Sequence, residues 1–172
     1  MLDPDNIKRA LEVFRNNVVR GAKRSLRQQK KVVSGRLLNS IKGSPVKVTE
    51  NSLTFNIKML DYGTFQDKGV SGVRTKYNTP YTYRDKMPPS KALDSWTVRR
   101  GIAPRDEKGR FIKRKSLNFL IARSIYLDGI KPSLFFTTPF KKYYKDLPED
   151  LEKAFALDVE EFIEFINKQN FQ

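Results

Sequence analysis

The sequence predicts an α+β fold: a small antiparallel β-sheet packed by N- and C-terminal helices, with a helical and loop insertion between. Three observations carry this. An apolar stripe at helical spacing opens the chain, and a second closes it. Between them, near residue 50, apolar and polar residues alternate with period two around a polar turn. The 172 residues suit a single domain spanning 1–172. Within it, 66–130 reads as an inserted arm and 147–172 as an acidic terminal helix.

The first helix is expected over about residues 4–30. Asp3 is placed to cap it and Pro4 to occupy its first position. Ile7, Leu11, Phe14, Val18 and Ala22 are spaced by four and three, and lie within about 40° of one pole. If the helix runs on, Arg9, Arg20, Lys23, Arg24, Arg27, Lys30 and Lys31 fall within about 60° of the opposite pole. The helix therefore combines a core face with a continuous cationic face. Ser34 can then cap a short helix bearing Leu37, Leu38 and Ile41, with Gly35 allowing a tight entry. Gly43-Ser44-Pro45 ends it.

A hairpin follows. Val46 and Val48 form one arm, Glu50-Asn51-Ser52 the turn, and Leu53, Phe55, Ile57 and Met59 a half-buried second strand. Asp61-Tyr62-Gly63-Thr64 breaks that strand, Gly63 turning it sharply and Thr64 bonding the turned backbone. Residues 66–90 read as a long loop, in which Tyr77, Tyr81 and Tyr83 are interleaved with Arg74, Lys76, Arg84 and Lys86. Such interleaving suits base stacking and phosphate contacts, and equally a protein interface rich in Tyr and Arg. Helices are expected over Ser90–Arg100 and, capped by Ser116, over Leu117–Leu127. The latter turns Leu117, Leu120, Ile121, Ser124 and Ile125 inward. Residues 105–111 read as a polar turn or hairpin tip. Residues 134–138 are β-branched and aromatic, which predicts a strand ended by Pro139. Pro148 leads the last helix to about Lys168, with Leu151, Phe155, Val159, Phe162 and Ile166 as its stripe.

Composition narrows function. The chain has no cysteine and no histidine. It therefore lacks thiolate nucleophiles, Cys-ligated zinc, the commonest general base and the commonest metal ligand. The glycines at 69 and 72 sit in no phosphate-binding motif. The reading is non-catalytic, with no cofactor, no metal and no small-molecule substrate. No run of apolar residues is long enough to span a membrane. The opening residues lack the basic and apolar pattern of a signal peptide. The net charge is +15. Residues 1–140 carry 29 Lys/Arg against 11 Asp/Glu, whereas residues 141–172 carry 5 against 8. A basic body with an acidic tail points to a polyanion partner or to contact between copies.

Three short segments occur in a telling order. Ser34-Gly35-Arg36-Leu37 runs to Ser40-Ile41 after a basic helix. Tyr62-Gly63-Thr64 ends a strand. Phe135-Phe136 runs to Pro139-Phe140 before the last helix. This arrangement resembles the tail-completion, or neck, proteins of tailed bacteriophages, over roughly 1–65 and 130–172. The family usually has Glu where this chain has Asp61, and its middle is shorter than residues 66–130. The resemblance implies structural roles for Ser34, Gly35, Leu37, Tyr62, Gly63, Thr64, Phe136, Pro139 and Phe140. It further implies a homo-oligomeric ring of six or twelve copies at the head-to-tail junction of the virion, assembled in the host cytoplasm. Portal, adaptor and tail proteins would be its neighbours, and genomic double-stranded DNA would pass through the lumen. The alternative is a non-specific nucleic-acid-binding protein. In either case the contact candidates are the seven cations of the first helix with Arg74, Lys76 and Arg84.

Overall fold

The computed structural model describes residues 4–170. In chain order the elements are α1 (Asp5–Gln28), α2 (Arg36–Ser40), β1 (Lys42–Gly43), β2 (Lys47–Thr49), β3 (Ser52–Thr54), β4 (Ile57–Lys58), α3 (Tyr62–Lys68), a 3-10 turn (Ser90–Leu93), α4 (Asp94–Arg99), α5 (Arg114–Asp128) and α6 (Thr137–Asn170). This is an α+β fold with long helices at its two ends and short antiparallel ladders between. The chain divides into two compact units. One comprises Met1–Gln28, Leu38–Met59 and Phe135–Gln172; the other comprises Gln29–Leu37 and Leu60–Leu134.

In the first unit, α1 packs along α6. The stripe buries Phe14, Val18, Ala22 and Leu26. Phe14 and Val18 meet Leu147 of α6, with Phe55, Ile57 and Phe140 packed around them. The Phe14 ring meets Phe55 and Phe140 edge-on at 6.1 and 5.8 Å. The two helices approach closely at Gly21, where a Cβ would lie 2.8 Å from Pro139. Asp3, the expected cap, lies outside the described residues. The Pro4 carbonyl accepts the first helical bond, from the Lys8 amide at 2.9 Å.

The hairpin is interrupted. β2 pairs with β3 (Val48 opposite Leu53), and β1 pairs with β4 (Gly43 opposite Ile57). The second strand is thus not continuous over residues 53–59. Pro45 has no N–H to donate, so the ladder breaks there. Instead the Ser44 hydroxyl accepts the Asn56 amide at 2.9 Å, and the Ser44 amide donates to the Asn56 carbonyl at 2.8 Å.

Two expectations fail at the C-terminal end. Residues 134–138 form no strand: Leu134 takes a left-handed φ of 51°, and α6 starts at Thr137. β-Rich composition decides little without a neighbouring strand to pair with. Pro139 falls in the first turn of α6, where a missing N–H costs no helical bond. Nor does α6 begin at Pro148, which lies inside it, where its missing N–H leaves the Tyr144 carbonyl without a helical donor.

In the second unit, α3 occupies residues that the sequence suggested would only turn. Gly63 and Thr64 stand in its first turn, their amides donating to the Leu60 and Asp61 carbonyls. The irregular stretch begins at Gly69 rather than 66. It is held by single bridges, Val70 to Ile130 and Ser71 to Thr82. Gly69 needs its φ of 75° and its bare Cα, since a Cβ would come within 2.5 Å of the Ile130 carbonyl. Helix α5 begins at Arg114, so Ser116 lies inside it rather than capping it. It buries Leu117, Asn118 and Ala122, while Leu120 is half exposed. The inward face is rotated because Asn118 makes a buried polar contact. The Thr97 hydroxyl donates to its Oδ1 at 3.1 Å, and its Nδ2 donates to Asp94 at 3.1 Å.

Candidate nucleic-acid and assembly surfaces

Burying one stripe of α1 turns its opposite side to solvent. Arg9, Arg20, Arg24 and Arg27 are exposed there and Lys23 is half-buried. Arg20, Lys23, Arg24 and Arg27 follow i, i+3, i+4, i+7 spacing, so they stack on one face over about 10 Å. Arg20 donates to Asn17 at 2.6 Å. Arg15 is different: it turns back to donate to the Ser44 carbonyl at 2.6 Å, its stem lying against Gly43.

Lys30 and Lys31 do not extend this face. Helix α1 ends at Gln28, Lys30 adopts φ 52°, and both lysines belong to the second unit. There Arg100 donates to the Lys30 carbonyl at 2.7 Å. Burial, and then the charges of Arg100 and Lys131, hold Lys31 below the ordinary lysine pKa. Sequence reading missed Arg100 and Lys131 because they stand far along the chain from Lys31. No local pattern brings such residues together.

The three loop cations proposed as contacts, Arg74, Lys76 and Arg84, have separate fates. Arg74 is tied to Asp128 through a 2.6 Å ion pair, and its hydrogen bond is the main reason the Asp128 carboxyl lies below its usual range. Lys76 donates to the Gly72 carbonyl at 2.8 Å. Arg84 is exposed and lines a groove of about 610 Å³ with Tyr62, Phe65, Tyr81 and Tyr83. Phe65 and Tyr81 meet edge-on at 4.7 Å. Tyr126 donates to the Arg84 carbonyl at 2.6 Å, fixing the groove's rim. Burial pushes the Tyr83 phenol above its ordinary pKa. Two of the three expected loop tyrosines, Tyr81 and Tyr83, thus gather around α3, which adds Tyr62 and Phe65. Tyr77 stands apart from the groove residues, its amide bonded to the Ser71 hydroxyl at 3.0 Å.

The Ser34 hydroxyl accepts the Arg36 amide at 3.4 Å, and Gly35 has φ 74°. Leu37 is half-buried, and Gly63 is buried within the first turn of α3. Phe136 and Phe140 stack at 6.0 Å beside the first unit's core. Among the described residues, no three carboxylates gather as a metal site, and no helix is long and apolar enough to cross a membrane.

Compared with protein-family models, curated proteins and solved structures, the chain gives no significant match.

Charge is unevenly distributed between the units. The second unit holds 19 Lys/Arg against 7 Asp/Glu, a net +12, while the first holds 15 against 12. Residues 149–164 of α6 hold seven acids and one lysine. Opposite charges are thus segregated along one chain.

Proposed function

We propose that this protein is a non-catalytic ring subunit at the head-to-tail junction of a tailed bacteriophage, joining portal or adaptor to tail around the DNA channel. The observation that carries the reading is charge segregation. A solvent-facing row of cations on α1 and a strongly basic second unit stand against an acidic, apolar-edged end of α6. The order of the three motif segments supports a place at the head-to-tail junction. A cationic lumen holds DNA through counterion release without reading its sequence. Acidic and basic ends on one chain favour head-to-tail contacts, and such contacts close into rings when the rotation permits. Electron microscopy of the purified protein is expected to show rings, and quantitative mass spectrometry of purified particles a fixed copy number. Absence from particles would overturn the reading.

The exposed row on α1 also favours a second reading, a free non-specific nucleic-acid-binding protein. That reading predicts a monomer that binds duplex DNA tightly at low salt and loses affinity steeply as salt rises.

A further inference from the structure

Helix α6 continues well beyond its last buried anchor. The Asp158 carboxylate accepts the Asn6 and Ile7 amides, so residues after 158 extend past the first turn of α1. On this stretch Ile163 is 52%, Phe165 55% and Ile166 39% exposed, and Phe155, just before it, is 53% exposed. At about 100° per residue, Phe155, Phe162, Ile163, Phe165 and Ile166 share an arc of roughly 160°, with Glu160, Glu161 and Glu164 on the opposite side. A large apolar face rimmed by charge marks an interaction surface. The groove in the second unit is its counterpart: concave, walled by Tyr62, Phe65, Tyr81 and Tyr83, and edged by Arg84. Its volume of about 610 Å³ is large enough to admit bulky apolar groups.

We propose that the acidic, aromatic end of α6 in one copy lies in the tyrosine groove of the next copy, as an amphipathic helix in a hydrophobic groove. The occupant follows from charge. Pairing two α6 ends would bring like-charged acidic helices together, which costs affinity. Seating α6 on a unit of net +12 brings opposite charges together. Donor and acceptor surfaces differ, so the contact is head-to-tail and each copy can give one helix and take another. The contact rests on the ring reading, for which it supplies the joint between subunits.

The absence of cysteine from the chain allows a clean test. Full-length Ile166→Cys and full-length Tyr62→Cys would be mixed under mild oxidation; both positions are exposed, so neither change threatens the fold. Mixed disulfide dimers in excess of either homodimer are expected. Predominance of Ile166→Cys homodimers, or no cross-link at all, would overturn the contact. A second pair uses assembly as the readout. Phe165→Ser/Ile166→Ser (donor-dead) and Tyr62→Glu/Phe65→Glu (acceptor-dead) should each remain folded by circular dichroism and lose self-assembly in sedimentation. Mixed, they should form heterodimers that grow no further. Groove variants that assemble like wild type but lose single-stranded oligonucleotide binding would make the groove a base-stacking site and refute the contact. Rings that persist with both variants would refute it while leaving the ring reading standing; a wild-type chain that never assembles would remove both.

Discussion

Asp158 shows how one side chain can join two distant segments. The first amides of any helix lack intrahelical partners. In α1 two of them, on Asn6 and Ile7, are met at 2.9 and 3.1 Å by a carboxylate from 152 and 151 residues away. Asp158 is almost fully buried. Its replacement by Ala leaves both amides unsatisfied, and unfolding in denaturant should show a loss of about 1–3 kcal/mol. Asp158→Asn, which keeps one acceptor oxygen, should lose less. Lys31 makes the opposite kind of prediction. Its folded pKa lies below the unfolded value of 10.5, chiefly through burial. The unfolded chain therefore binds more protons between the two values, and stability rises with pH across that window. At neutral pH the half-buried charge is a net cost. Lys31→Gln should raise the melting temperature at pH 7, with the gain shrinking as pH climbs past the folded pKa towards 10.5. A pH series of thermal melts checks the sign.

At the scale of elements, stability concentrates where α1 meets α6. Phe14 packs against Val18, Leu147, Phe55 and Phe140. Phe14→Ala should therefore destabilise the first unit by about 3–5 kcal/mol, measured by chemical denaturation. Helix α1 and its buried stripe were legible because a 3.6-residue period leaves a direct mark on sequence. So was the tight pairing of β2 with β3, since period two and a polar turn mark it equally directly. The strand expected at 134–138 was not real. Its composition fitted a strand, but no neighbour offers a ladder, and Pro139 suits a helical first turn as well as a strand end. The inward face of α5 was misread because hydrophobicity alone favoured Leu120 and Ile121 over Asn118. Asn118 becomes an inward residue only once Thr97 and Asp94 are in place to satisfy it.

For the whole molecule, the decisive quantity is which cations remain available to a polyanion. Each phosphate neutralised contributes about 0.9 to the slope of log K against log salt. Replacing Arg20, Lys23, Arg24 and Arg27 together with Gln should flatten that slope for duplex DNA by about 3–4. Arg74→Gln should leave it close to wild type, because Arg74 is held by Asp128. Fluorescence anisotropy across a salt series distinguishes the two outcomes. Equal slopes for wild type and the fourfold variant would remove α1 from the DNA contact.

By itself the sequence determined the α+β class, the two terminal helices, the cationic face of α1 as far as Arg27, and the segregation of acid to the C-terminal end. These are properties of composition and short-range period, written within a few turns of chain. Only the tertiary structure decided that Lys31 joins Arg100 and Lys131, that Arg74 is paired, that Tyr62 and Phe65 wall a groove with Tyr81 and Tyr83, and that Asp158 caps α1. Each depends on contacts between residues far apart in sequence. Such contacts are set by how the elements pack, and no local period encodes them.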